Sequence, residues 1–418
     1  MVHFVSAIRG HPASRPVSIT ANQQRTLLRL LAALQPHWRR DRALPSRIQS
    51  LLTRERAFGS RDRRLYRELL YTAIRHLPWI EPWLASDPAE AVRRLAWLAA
   101  DLPATAAFRA AFATGSPADG DPVELIPAWF RPHCPEAFAP AEAAALLRRA
   151  PLWLRLQTDA PGAGAVEAEF AARGWTWERS AVLTDALALR TEADVTTTNA
   201  WKEGSIEIQD LGSQLILASV GIEPGRRWLD ACAGAGGKTL QLARLLGAAG
   251  SVDAFDIRAS ALDELRQRSN RIARSPRHPL NDRGIGTIRI LPPASPEGAY
   301  DGVLVDAPCS GSGTWRRSPH LKWITTEGEI DRAAALQRTL LADFSRWVGP
   351  GGRLVYATCS LSSRENEAVV AEFLAAHGEF EPAPWPQPFE ALARGAGRLI
   401  LPSRYDTDGF FVASLRRR

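Results

Sequence analysis

Two cysteines in this chain stand where a nucleophile would be useful. Val303-Leu304-Val305-Asp306-Ala307-Pro308-Cys309 is an apolar strand running into a turn, and Leu354-Val355-Tyr356-Ala357-Thr358-Cys359 repeats the design. Each places a cysteine just past the carboxyl end of a buried strand, the edge at which α/β sheets bind ligands. A lone free cysteine is usually a small buried apolar residue. Two at equivalent strand ends, one of them preceded by an acid, argue for a site. A thiolate is a strong nucleophile once cations or dipoles lower its pKa. Carbon C5 of a cytosine is a poor nucleophile, but a thiolate added at C6 makes it enamine-like and able to attack a sulfonium methyl. An acid such as Asp306 assists by bonding the base at N3.

A second constellation lies upstream. Asp230-Ala231-Cys232-Ala233-Gly234-Ala235-Gly236-Gly237-Lys238-Thr239 follows a strand and opens a helix. Glycines let a backbone approach a ligand closely, and the helix start behind them offers free N–H groups. Gly237-Lys238-Thr239 ends like a P-loop, but that motif requires glycine where Cys232 stands. The spacing is not the dinucleotide G-x-G-x-x-G either. The next strand ends in Asp256, 20 residues after Gly236, where a carboxylate accepts hydrogen bonds from ribose hydroxyls. Together these parts suit an adenosine-containing ligand lying across the carboxyl ends of adjacent strands.

The elements that must carry these residues follow from the pattern. From residue 227 the rhythm is strand, helix, strand, which predicts a parallel α/β sheet. Strands are expected at 227–231, 251–256, 287–291, 302–306, 353–357 and 410–415, with helices at 238–246, 260–274 and 330–348. Residues 139–204 read as a small α+β module: helix 139–149, strand 152–156, helix 164–173 and strand 186–190. Residues 116–138, rich in Pro, Gly and Asp, read as a linker. Residues 1–115 read as helices. The clearest is 61–77, with Leu65, Leu69, Ala73 and Leu77 at four-residue steps, Ser60 as cap and Pro78 as stop.

Composition bounds the function. The chain has 418 residues, 45% of them apolar and 23% charged, as in globular proteins of two or three domains. No apolar run reaches the roughly 20 residues a membrane helix needs. The opening MVHFVSAIRGHPASRP lacks a signal-peptide pattern. A cytoplasmic location is therefore expected, with no membrane partner. The four cysteines form no C-x-x-C pair, so neither a metal nor a disulfide is expected. Net charge is +7, and it is uneven. Residues 1–100 hold 17 Arg against 7 acids. With only three lysines, Lys202, Lys238 and Lys322, the cationic surface is guanidinium, suited to phosphates and bases.

With these stretches in view, the sequence resembles the bacterial RNA (cytosine-5)-methyltransferase family in its Sun/Fmu branch. The likeness runs from about residue 22 to 415. DACAGAGGKT (230–239), DAPCSGSGTWRRSPHLKW (306–323) and YATCSLSSRENEAVV (356–370) carry it, supported by GSIEIQDLGSQL (204–215) and DGFFVASL (408–415). The resemblance implies a Rossmann-like S-adenosylmethionine-dependent methyltransferase sheet in residues 205–418. It also implies an all-helical NusB-like RNA-binding domain in 1–115 and a small RNA-binding module in 139–204. By that likeness Cys359 is the nucleophile, Cys309 assists breakdown of the covalent adduct, and Asp306 contacts the target cytosine and borders the cofactor. Cys232, Ala233, Gly234, Ala235, Gly236, Gly237 and Lys238 would hold S-adenosyl-L-methionine, and Asp256 its ribose. The implied partner is RNA, with ribosomal RNA favoured, and the chain is expected to act as a monomer.

Two departures stand out. The family commonly has Ala-Pro before Gly-Gly-Lys. Here Gly234-Ala235 precede Gly236, which suggests a more flexible turn. The family also carries an acid after the third strand, near the adenine, whereas Leu291 is followed by Pro292 and Pro293 with no acid before Glu297. That contact is unassigned. Three other readings remain open on sequence grounds. They are a non-catalytic RNA-binding assembly factor, the same chemistry on transfer RNA, and a DNA enzyme using Cys309 as its nucleophile. Trp315, Arg316, Arg317 and Trp323, close behind the Ser-Gly run, are candidates to grip RNA around the base.

Overall fold

The spacing of Leu65, Leu69 and Ala73, widened by Leu70, drives the helix Ser60–Arg75, and all four side chains are buried. In the computed structural model, residues 19–117, 120–158, 160–273, 284–291, 296–386 and 389–418 are described. The opening segment, the expected helix end at Arg274, and Pro292 and Pro293 lie outside them. Two compact units result, one drawn from the chain before residue 118 and one mainly from residue 120 onward.

The first unit is helical. Ile19–Leu34, Leu44–Arg54, Ser60–Arg75, Leu77–Ser86, Pro88–Leu98 and Ala106–Phe112 supply its helices. Pro78 does not stop the third of these. The break falls at His76, and Pro78 sits in the first turn of the next helix, where its missing N–H costs no hydrogen bond. Ser60 is a helical residue and not the cap. Asp87 caps Pro88–Leu98 by accepting from Ala89 N and Glu90 N at 3.1 Å.

In the second unit, the expected linker is folded. Pro122–Leu125, Ala128–Phe130 and Pro135–Phe138 are 3-10 turns, and Leu125, Ile126, Phe130 and Cys134 are buried. Four apolar side chains within ten residues outweigh the turn-forming composition. The small module has an antiparallel sheet of β1 (Leu152–Leu156), β2 (Trp177–Arg179), β3 (Ala186–Leu189) and β4 (Ile206–Ile208), in order β2-β3-β1-β4. The helix Ala160–Ala172 contributes Val166 and Phe170 to its core beside Leu154, Leu187 and Ile206.

The large sheet contains β5 (Arg227–Asp230), β6 (Ser251–Ala254), β7 (Thr287–Ile290), β8 (Tyr300–Asp306), β9 (Val348–Thr358), β10 (Phe380–Pro382), β11 (Leu392–Arg394), β12 (Gly397–Ile400) and β13 (Phe410–Arg417). Its order is β11-β12-β13-β9-β8-β5-β6-β7, with β10 beside β13. The pairs from β7 to β9 are parallel, and β13 closes antiparallel on β9. Leu304 and Val355 pack on one face, Val303 and Leu354 on the other, and all are fully buried. Each such aliphatic side chain contributes roughly 2 kcal/mol. Covering both faces is what a continuous apolar run requires. The helix expected at 330–348 runs from Glu327 to Ser345. It starts early because Thr326 and Glu329 form a capping box, and Val348 opens β9 instead.

Candidate active site

The crossing from β5 to the helix Gly237–Leu246 builds the cofactor turn. Gly236 has φ +87°, and a Cβ there would lie 2.2 Å from Leu265 Cδ1. Gly234, at φ +53°, donates its N–H to Asp256 at 2.9 Å. Arg268 donates to Ala235 O at 2.7 Å and pairs with the fully buried Glu207 of β4, also at 2.7 Å. The turn is therefore pinned from two sides. The backbone of Gly234-Ala235, expected to be more flexible, is hydrogen-bonded by Asp256, just past β6, and by Arg268 of the helix Ala259–Ala273, which Glu207 of β4 positions.

This turn forms one wall of a cleft of 870 Å³, within the range of small-ligand sites. Cys232, Ala233, Gly234, Ala235, Gly237, Lys238, Asp256 and Asp306 line it; Gly236 is behind the wall, shaping the turn. Phe255, Leu336, Leu340, Phe344 and Trp347 make an apolar side that includes Ile257, which is 90% exposed. An exposed large aliphatic next to a buried carboxylate suits an adenine ring and its ribose. Against the desolvation that burial imposes, Arg258 and the N–H groups of Arg258 and Gly234 hold Asp256 below the usual carboxylate range. Burial pushes the Cys232 thiol up, so it lines the cleft as a neutral group. Asp343 and Arg346 also reach this cleft.

At the other end, Asp306 accepts a hydrogen bond from Lys238 Nζ at 2.8 Å. Lys238 is buried, so this pair fixes the carboxylate between the cofactor turn and the cysteines. In the β8–β9 register Asp306 stands opposite Ala357, which brings the two turns beyond them to one edge. Cys309 Sγ and Cys359 Sγ are 3.3 Å apart. The hydrogen bond with Cys359, together with burial, holds Cys309 well above the usual thiol range.

A buried carboxylate locks the two turns. Glu365 accepts from Ser310 N at 2.8 Å, Ser310 Oγ at 2.5 Å, Ser360 Oγ at 2.6 Å and Gln337 Nε2 at 3.0 Å. Ser310 and Ser360 directly follow the two cysteines. Gln337 Nε2 also donates to Pro308 O at 2.9 Å. Glu365 is fully buried, yet four donors offset its desolvation.

Sequence reasoning missed Glu365, since a glutamate in Ser-Arg-Glu-Asn-Glu looks like a solvated face. It also missed Asp210 and Asp408, whose signal in GSIEIQDLGSQL and DGFF was present but bore no role. Trp315 is no RNA platform. It is 1% exposed and packs on Phe130 with ring centroids 4.7 Å apart. Arg316 is also buried, paired with Asp406 at 2.6 Å. Trp323 is half-buried, and Arg317 is exposed beside the cysteines. Residues 292–295, where the missing acid would fall, are outside the described part. Among the described residues no cluster of His, Cys, Asp and Glu has metal-binding form, and no helix is long and apolar enough to cross a membrane.

Comparison with known proteins places this geometry. The family described as 16S rRNA methyltransferase RsmB/F matches residues 217–416. Ribosomal RNA small subunit methyltransferase B of Xanthomonas campestris pv. campestris is 34% identical over 275 residues, covering 64% of this chain and 60% of that protein. The chain thus matches less than two thirds of that relative's length. The crystal structure of PH0851 superposes with TM-score 0.72 over 96% of this chain and 100% of the other, at 22% identity. A methyltransferase homolog protein from Pyrococcus horikoshii has TM-score 0.57 over 69% and 93% of the two chains, at 25% identity. These superpositions give a Rossmann-like methyltransferase fold. Residues 217–416, just under half of the chain, are thus similar to the RsmB/F methyltransferase family.

Proposed function

We propose that this chain is an S-adenosylmethionine-dependent RNA (cytosine-5)-methyltransferase that acts on ribosomal RNA. The carrying observation is the 3.3 Å approach of Cys309 and Cys359 beside Asp306, which also borders the cleft. The Xanthomonas relative's name supplies the substrate class.

The turn 232–238 and Asp256 hold S-adenosylmethionine, which supplies a methyl group activated by a sulfonium. The chain's own residues prepare the base. Cys359 adds its sulfur to C6 of a cytosine swung out of its stack, a cost of a few kcal/mol. The C5–C6 π pair shifts toward C5, which becomes nucleophilic. Asp306, positioned by Lys238, hydrogen-bonds the N3 edge of the ring. After C5 has gained its methyl, its proton passes to a water molecule, the C–H bonding pair restores the C5–C6 double bond, and the bond from C6 to the Cys359 sulfur breaks, the sulfur leaving as a thiolate. Cys309, still a thiol, hydrogen-bonds the departing sulfur and so speeds release.

The helical unit acts as an RNA-binding domain. Its helix Ser60–Arg75 exposes Arg61, Arg64 and Arg67, which suit phosphate contacts. Residues 139–204 form a second RNA-binding module. The protein works in the cytoplasm as a monomer. Incubation with tritiated S-adenosylmethionine and unmodified ribosomal RNA is expected to label C5 of cytosine. Label on adenine, or on protein alone, would overturn the reading. Bisulfite sequencing of RNA from a deletion strain names the nucleotide.

A further inference from the structure

Arg317 has an arrangement that the steps above leave unused. Its Nη2 donates to Asp210 Oδ2 at 2.8 Å, and its Nε lies 3.0 Å from Asp408 Oδ2. Both acids are buried, with side chains 4% and 3% exposed. Asp210 comes from the start of the helix Leu211–Ser219, and Asp408 from the turn before β13. Thr407 donates its hydroxyl to Asp210 and completes the clamp. The third nitrogen, Nη1, has no hydrogen-bond partner among the described residues, and the side chain is 43% exposed.

This clamp stands beside the nucleophile. Gly313 N donates to Cys359 O at 2.9 Å, and Gly409 N donates to Gly313 O at 2.8 Å. A Cβ on Gly313 would lie 2.1 Å from Gly409 O, so the Cys359, Gly313 and Gly409 backbones are in direct contact. Arg317 follows Gly313 by one turn, and Asp408 precedes Gly409. Although burial works against its charge, Asp408, Asp210 and Cys359 hold the Arg317 charge above the usual guanidinium range. The Cys359 sulfur is therefore within electrostatic reach of the guanidinium.

The geometry points to Arg317 as a catalytic residue whose free Nη1–H donates a hydrogen bond to the carbonyl O2 of the target cytosine. The inference rests on the function proposed above. Two carboxylates already offset the Arg317 charge, so the group is a poor hook for a phosphate. What remains is a fixed donor, suited to a neutral carbonyl. Burial and Asp210 push Asp408 up, which keeps the clamp near neutrality. As the Cys359–C6 bond forms, the π pair passes to C5 and is shared with N3 and O2. The hydrogen bond to O2 strengthens as that charge grows, and no proton leaves Arg317. Asp306 reads the N3 edge, while Arg317 holds the edge that cytosine and uracil share.

The test uses the full chain and ribosomal RNA transcripts with cytidine or 2-thiocytidine at the methylated position, in single turnover. Sulfur accepts hydrogen bonds weakly, so wild type is expected to slow by about tenfold on the thio substrate. Arg317→Gln is expected to lose about 100-fold on cytidine, as for removal of one such donor, and little more on 2-thiocytidine. A merely structural role predicts that the two losses multiply, and that result overturns the proposal. So does a wild type indifferent to the sulfur. Calorimetry with S-adenosylmethionine verifies each variant's fold, and Arg317→Lys replaces Arg317→Gln if the latter does not bind. If wild type methylates no cytidine at all, it is the underlying function that fails.

Discussion

Cys309 and Cys359 are 50 residues apart in sequence, yet their sulfurs approach to 3.3 Å at the carboxyl ends of neighbouring parallel strands. The two thiols are not equivalent. In the function proposed above, Cys359 attacks C6 and Cys309 assists release of the adduct.

That asymmetry predicts opposite phenotypes. Cys359→Ala is expected to abolish methylation, by at least about 10³-fold, because it removes the proposed nucleophile. Cys309→Ala is expected to form the adduct and release it slowly, leaving protein on RNA as a retarded band on a denaturing gel. The reverse pattern would exchange the two roles.

Glu365 joins both cysteine turns through four accepted hydrogen bonds. Glu365→Ala leaves buried donors unpaired and is expected to cost about 3–5 kcal/mol in urea unfolding. Glu365→Gln, which keeps the volume, is expected to cost less while still slowing methylation. Wild-type stability in Glu365→Ala would show that the network is not what holds the turns.

Gly236 adopts φ +87°, with Leu265 against the place a Cβ would occupy. Gly236→Ala is expected to strain the turn by about 1–2 kcal/mol beyond the clash. Calorimetry should then show affinity for S-adenosylmethionine weakened by about tenfold or more. Unchanged affinity would separate the turn from cofactor binding.

Asp230 ends β5 fully buried, and burial pushes its carboxyl up to about 7, although Thr239 donates to it at 2.7 Å. Its folded pKa lies above the unfolded value of about 3.9. The folded state therefore binds more protons between those limits, and stability falls as pH rises from about 4 to 7. Asp230→Asn carries no such proton. Urea midpoints across this range are expected to fall less steeply in the variant, and equal slopes would refute the assignment.

Six strands of the large sheet were legible because they are short apolar runs bounded by glycine, proline and charge, and the helices between them keep their period; β10, β11 and β12, of three or four residues each, were not expected. The folded segment 120–138 was not legible. Turn-forming residues are visible in a sequence, but the cavity that accepts Phe130 and Ile126 exists only once the sheet is assembled. Trp315 and Arg316 were misread for the same reason. Aromatic and basic residues near a site suit RNA equally well on paper, and only burial shows that these two belong to the core.

By itself the sequence supplied the residue types on which the proposed chemistry rests: two thiols and a carboxylate at strand ends, and a glycine turn that must accept positive φ. These are local requirements, carried by residue types at fixed spacings. The tertiary structure decided which groups surround those residues. Glu365, Lys238 and the pair Asp210 and Asp408 act through hydrogen bonds across 55, 68, 107 and 91 residues of chain respectively. Such partners are chosen by strand order and register, which bring distant segments within 3 Å, and no local pattern encodes that choice.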